Sequence, residues 1–335
     1  MMKEKIINNF WFEYDQEGNI VEKDFPNLYA YNSPYILKCK DDGKFYRLKI
    51  IQDESPENPR EDRDNMCVFA GFLRNHYSPD TVSQNNATDW LKSLCYDYVD
   101  TDAQTIESYD WQKCYNELNK SNKCCISLVK YYEHSGFSVS MDTNSYPYND
   151  HWDSGLFGFI FVSKNFIFQN GGGLPILNKD GKRIYKQHKY ADDSATYSAQ
   201  VEPLTEENWK QVAYRYMHSE VETYDQWLQN DIYGYELEEV KPVYYCNKCG
   251  TVLEDIDDIL SNEQLELDGK VHHRCSGCCE DLDIEGTDKL DITLHKYESI
   301  KEIDSCWGFY GSDTSTNGIL SELPIKNWEI VEEEK

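Results

Sequence analysis

Cys246-Asn247-Lys248-Cys249-Gly250 is answered, after 25 intervening residues, by Cys275-Ser276-Gly277-Cys278. Two C-x-x-C pairs at that separation have the spacing of a structural zinc site. Each pair can wrap a tight knuckle, so that both sulfurs reach one tetrahedral ion. Gly250 follows the first knuckle, where a tight turn favours a residue free to take positive φ. Val243-Tyr244-Tyr245 and Val271-His272-His273 read as short strands leading into the knuckles. The expected ligands are Cys246, Cys249, Cys275 and Cys278. Cys279, His272 and His273 compete for the fourth place. Outside the knuckles, residues 232–240 and 292–297 read as strands that would pair if the ribbon were cut out. The ribbon, residues 241–290, is therefore read as an insertion in a β-hairpin. Residues 1–240 form the parent body, with a possible subdomain boundary near 52–65. Residues 291–335 return the chain to that body and end in an acidic tail.

The surrounding sequence mixes strands and helices. Ile36-Leu37-Lys38-Cys39 and Phe45-Tyr46-Arg47-Leu48-Lys49-Ile50 form a hairpin pattern across Asp42-Gly43. Residues 125–132, 137–141 and 158–163 are further strands. Ser78-Pro79 carries a helix-start signal, a capping Ser followed by Pro in the first turn. Trp90, Leu91, Leu94, Cys95 and Tyr98 then share a helical face. A long helix is predicted over 205–230 from Trp209, Val212, Ala213 and Tyr216, continued by Tyr224, Trp227 and Leu228. Gly171-Gly172-Gly173 lacks the Gly-Lys-Ser/Thr of a phosphate loop. Residues 170–200 read as a polar, mobile stretch. No regular βαβ rhythm appears. The predicted class is α+β, mainly antiparallel sheet with a few packed helices and an inserted zinc-ribbon module.

Composition narrows the function. Asp plus Glu number 61 against 33 Lys plus Arg, a formal net of −28. Such a surface repels phosphate backbones and anionic membranes and favours cationic partners. Twenty-six Tyr, 13 Phe and 8 Trp supply apolar area for a real core. Beyond the four expected ligands, the other eight of the 12 Cys are scattered without framework spacing, which fits a reducing cytosol. No apolar segment of signal-peptide type is expected in residues 1–15, and no run approaches a membrane span.

Four segments carry a resemblance. They are Asn58-Pro59-Arg60 with Asp64-Asn65-Met66, His151-Trp152-Asp153-Ser154-Gly155 with Gly158-Phe159-Ile160, the run from Glu220 to Leu228 with Asp231-Ile232-Tyr233-Gly234-Tyr235, and Asp304-Ser305-Cys306-Trp307-Gly308-Phe309-Tyr310-Gly311. Together they resemble a functionally uncharacterised family of acidic proteins of phages and mobile elements of Gram-positive bacteria. The resemblance spans most of residues 50–320. The ribbon departs from it, since family members join the last two segments more directly. It implies a phage accessory protein and transfers no catalytic residue; small acidic phage proteins in general are often inhibitors of host defence nucleases.

The ribbon region, 236–304, holds 19 Asp or Glu against 7 Lys or Arg, which makes it a poor phosphate binder and a better protein-contact arm. The expected function is inhibition of a host defence nuclease, of restriction or CRISPR type, in the host cytoplasm. An acidic, DNA-mimicking surface would engage a basic protein partner. Glu254, Asp255, Asp257, Asp258, Glu280, Asp281 and Asp283 are the candidate contacts. The alternatives are a phage structural or assembly protein and a metal-dependent hydrolase or nuclease. The hydrolase would use His151, Asp153 and Ser154, with His134 and Ser135 near by. A metal-dependent site would use Glu220, Glu222, Asp225 and Asp231. Trp307, Phe309 and Tyr310 read as a core strand or an aromatic patch.

Overall fold

The computed structural model of this chain describes residues 10–30, 34–61, 64–141, 144–150, 152–190, 195–253, 265–267, 270–275, 281–282 and 292–333. The chain is α+β, with antiparallel sheets and packed helices. It divides into two compact units. One comprises residues 1–24 and 53–232, the other 25–52 and 233–335.

The first unit is built on a sheet with strands in the order Val68–Gly71, Ser154–Ser163, Cys124–Glu133, Phe137–Ser140, all antiparallel. The strand Ser154–Ser163 is apolar along both faces because helices cover both faces. Phe159 and Phe161 pack with Trp90, Leu91 and Cys95 of the helix Ala87–Tyr98, and with Cys114 and Leu118 of the helix Trp111–Lys120. Phe157, Ile160 and Val162 pack on the other side against Trp209, Val212, Met217 and Val221 of the long helix Trp209–Leu228.

Phe157 shares a face with Ile160 and Val162, which breaks strict alternation. A bulge explains it. Val129 and Lys130 lie opposite Gly158 and Leu156, so Phe157 is an extra residue with no opposite number. One extra residue turns the side chains beyond it to the other face. Gly158 permits the close approach of the next strand, since a Cβ there would lie 2.0 Å from the Ala70 carbonyl oxygen.

Three expectations are corrected. The first helix begins at Ala87 rather than at Ser78-Pro79. Asn86 caps it by accepting from the Asp89 N–H, while Ser78 Oγ accepts from Gly71 N–H and donates to the Asp80 carbonyl, making a turn against the sheet. The long helix begins at Trp209, because the Asn208 amide oxygen takes the Thr205 N–H at 2.7 Å and holds the preceding turn. Within residues 170–200, the strands Ile184–Lys189 and Ala195–Ala199 pair with each other. They extend the hairpin Phe12–Tyr14 and Ile20–Glu22 into a four-stranded sheet. The apolar support comes from far away in sequence: Tyr197 stacks on Phe12 at 4.4 Å between ring centroids.

In the second unit the strands run Val252–Leu253, Ile232–Cys246, Phe45–Gln52, Tyr35–Cys39, Trp328–Glu333. The hairpin turns at Gly43, whose φ is 74°, with Asp42 accepting from Lys44 N–H and Tyr46 Oη. Arg47 lies opposite Glu238, and Lys49 opposite Glu236; Lys49 Nζ also reaches Glu238 at 2.8 Å. The strand Ile292–Tyr310 pairs with Ile232–Cys246, so the two strands flanking the ribbon do pair. Gly234 is required by this pairing, because a Cβ there would lie 2.2 Å from the indole of Trp307. Trp307 is half-exposed, set against Gly234 rather than sunk in a core. Among the described residues, no helix is long and apolar enough to cross a membrane.

Candidate metal centre and other candidate sites

Cys246 ends its strand. Its N–H donates to the Thr251 carbonyl and its carbonyl accepts from Gly250 N–H, closing a knuckle that turns at Gly250, φ 75°. The chain then returns as Val252–Leu253 beside Tyr244 and Tyr245. Cys275 follows the strand Lys270–Arg274, which pairs with Leu265–Leu267 and with Asp281–Leu282. These two approaches bring the sulfurs of Cys246, Cys249 and Cys275 within 4.8 Å of one another. Cys249 Sγ and Cys275 Sγ are 3.5 Å apart. Four sulfurs at about 2.3 Å from a tetrahedral ion would sit roughly 3.8 Å from each other, so the spacing fits one metal ion. Cys246 and Cys275 are each 1% exposed and pack with Leu253 and Ile292, while Cys249 is exposed.

The thiols differ in electrostatics. The Thr251 hydroxyl, 3.1 Å from Cys249 Sγ, is the main cause that draws the Cys249 thiol down to about 6. Burial pushes the Cys246 thiol up. A metal ion would favour the thiolate at both. Thr251 was not singled out from sequence, although its place two residues after Cys249 makes the contact a local one.

Other candidates fall outside the described residues. These are Cys278, Cys279, His151, Glu254, Asp255, Asp257, Asp258, Glu280 and Asp283, and the side chains of His272, His273 and Asp281.

The carboxylates around the long helix do not converge. Glu220 accepts from Arg60 at 2.6 Å and from Met66 N–H at 2.7 Å. Glu222 lies 3.7 Å from His218. Asp225 accepts from Val139 N–H at 2.7 Å and from Gln229, and burial pushes its carboxyl up to about 6. Among the described residues, the cysteine trio is the cluster with metal-ligand geometry.

His134 Nδ1 lies 3.0 Å from Asp153 Oδ2, an exposed pair. Ser154 Oγ donates instead to the carbonyls of Tyr148 and Asp150. Its proton is therefore aimed at backbone, not at a base, and the described members of this group do not assemble a nucleophile–base pair.

Arg60 is the feature the sequence concealed. Its side chain is 2% exposed and all five of its N–H donors are used. Nε and Nη2 grip Asp80 in bidentate fashion at 2.8 and 2.7 Å. Nη1 donates to Glu220 and Asn65, and Nη2 also to the Cys67 carbonyl. The hub joins Arg60 to Glu220, which lie some 160 positions apart. Comparisons with protein-family models, with curated proteins and with solved structures each return no match for this chain.

Proposed function

We propose that the chain is a non-enzymatic inhibitor encoded by a phage or mobile element. It occupies the cationic nucleic-acid cleft of a host defence nuclease in the host cytoplasm. The observation that carries this reading is the charge. Even if every Lys and Arg neutralised one carboxylate, 28 carboxylates would remain. The cations are also consumed locally. Lys44 pairs with Glu239, Lys49 with Glu236 and Glu238, and Lys182 with Glu13 and Asp24. Along residues 53–64, Arg60 turns inward, while Asp53, Glu54, Glu61 and Asp64 enter no ion pair among the described residues. A Lys/Arg cleft shaped for phosphates would meet a comparable density of negative charge.

Zinc is the metal of the cysteine centre, with Cys278 as its fourth ligand, and it clips the ribbon into a rigid arm. Glu254, Asp255, Asp257 and Asp258, with Glu280, Asp281 and Asp283, supply the contact charges. The test is DNA cleavage by a panel of purified restriction and CRISPR nucleases, titrated with the protein at about 50 mM and about 500 mM salt, where screening lengths differ several-fold. Stoichiometric inhibition of one nuclease at low salt, lost at high salt and lost in a variant carrying E254Q, D255N, D257N and D258N, is the expected result. Inhibition of none, or equal inhibition at both salts, overturns the reading.

A further inference from the structure

A cavity of about 790 Å³ opens in the first unit, lined by the apolar side chains of Phe137, Tyr224, Trp227 and Leu228 and by polar residues that include Asn58, Arg60, Glu61, His76 and Asp80. Its size falls within the roughly 300–1,000 Å³ of small-molecule sites. Two observations define what it suits. Tyr224 is 5% exposed and lines the cavity, yet its hydroxyl has no hydrogen-bond partner among the described residues. The hydroxyl is not itself sealed from solvent, since Trp328 Nε1 is the buried side-chain polar atom left without a partner among the described residues, so a donor entering the cavity can reach it. The second observation is charge. Among the described residues Arg60 is the one Lys or Arg in the lining, and its donors are all committed. With Asp80 and Glu220 it forms a group of one cation and two carboxylates. Glu61 adds a further negative charge, tied among the described residues to the Asn58 amide at 3.3 Å. Among the described lining residues an anion would find surplus negative charge and, besides His76, no cation with a donor to spare. A cation would find aromatic side chains, for Tyr224 and Trp227, which stack at 5.6 Å between centroids, both line the cavity.

We propose that this cavity binds a planar organic cation, a guanidinium or amidinium head, lying on the Trp227 indole, donating an N–H to Tyr224 Oη and paired in charge with Glu61. The head group can come from a free small molecule or from an arginine side chain of a protein partner. The site is built from other residues than the ribbon acids, so it stands or falls separately from the inhibitor reading.

The experiment is isothermal titration of the full chain with benzamidine, agmatine and a terminally blocked Gly-Arg-Gly peptide, with benzoate as the anionic control. Saturable one-to-one binding of the cations and none of benzoate is expected. Tighter binding of the peptide assigns the head to an arginine side chain, and tighter binding of benzamidine or agmatine assigns it to a free molecule. Tyr224→Phe removes one oxygen and leaves the ring, and should weaken binding about tenfold, the worth of one hydrogen bond to a charged donor. Glu61→Gln, at an exposed position, should weaken it about threefold. No saturable binding of any cation, or benzoate binding as well as benzamidine, overturns the proposal. So does unchanged affinity in Tyr224→Phe. If Tyr224→Phe fails to fold, unchanged affinity in a folded Glu61→Gln variant overturns it equally.

Discussion

Asp225 offers the sharpest test of the packing in the first unit. Its carboxylate sits between the long helix and the strand Phe137–Ser140, accepting from Val139 N–H at 2.7 Å and from Gln229 Nε2 at 2.5 Å. Burial is the largest influence on it and raises its pKa to about 6 from an ordinary 3.8; the charges of Glu222 and Asp231 push the same way, and the two hydrogen bonds only partly oppose them. A raised carboxyl pKa means that the native state holds the proton more tightly than the unfolded chain. Stability from this group is therefore greatest below the unfolded value, falls as pH rises from about 4 to about 6, and is level above that. The gap corresponds to roughly 3 kcal/mol of penalty at neutral pH. Asp225→Asn removes the charge and keeps an oxygen for Val139 N–H. Gln229 must turn its amide so that its own oxygen faces the new NH₂. Losing charge-assisted character in the Val139 bond takes back about 1 kcal/mol. The net expectation is a stabilisation of about 1–2 kcal/mol near pH 7.5 that disappears near pH 4. Urea unfolding at the two pH values, together with exchange protection of the Val139 amide, reads it directly. A variant less stable than the parent near pH 7.5, or one whose gain is the same at both pH values, would refute the reasoning.

Other outcomes follow from particular contacts. Arg60→Leu strands two partly buried carboxylates and should lower stability by about 3–5 kcal/mol, with Arg60→Lys intermediate, since an ammonium cannot grip Asp80 in bidentate fashion; thermal and urea unfolding decide. Gly234→Ala forces the Trp307 indole away and should cost about 1–3 kcal/mol with a changed near-UV spectrum, whereas an unaltered spectrum and stability would contradict the packing. Metal analysis should find about one zinc per chain in the parent and close to none in Cys246→Ser, with a chelator loosening the ribbon but leaving the sheet of the first unit intact. A full metal load in Cys246→Ser would remove that cysteine from the ligand set.

The elements legible in the sequence were those whose signals are local. The Asp42-Gly43 turn between two alternating runs specified the hairpin, because positive φ and strand periodicity are properties of a few adjacent residues. The apolar stripe from Trp209 to Leu228 and the first knuckle at Cys246 were legible for the same reason. Ser78-Pro79 misled because the same residue types serve caps and turns, and only the Gly71 N–H settles which. The strands Ile184–Lys189 and Ala195–Ala199 were missed because their exposed side chains are polar and their aromatic support is supplied by Phe12. Arg60 reads as a solvated loop charge until Asp80 and Glu220 are seen around it.

The order of the chain through its two units shapes its birth on the ribosome. Phe45–Gln52 is synthesised about 180 residues before Tyr233, its first partner on the next strand. At roughly 5–20 residues per second, that strand edge waits on the order of 10–35 s for completion, while residues 53–232 emerge in between and can finish their own core first. The nascent hairpin thus spends its early life with an open flank, and slowing translation beyond Gln52 would lengthen the interval in which chaperones or neighbouring chains can reach it.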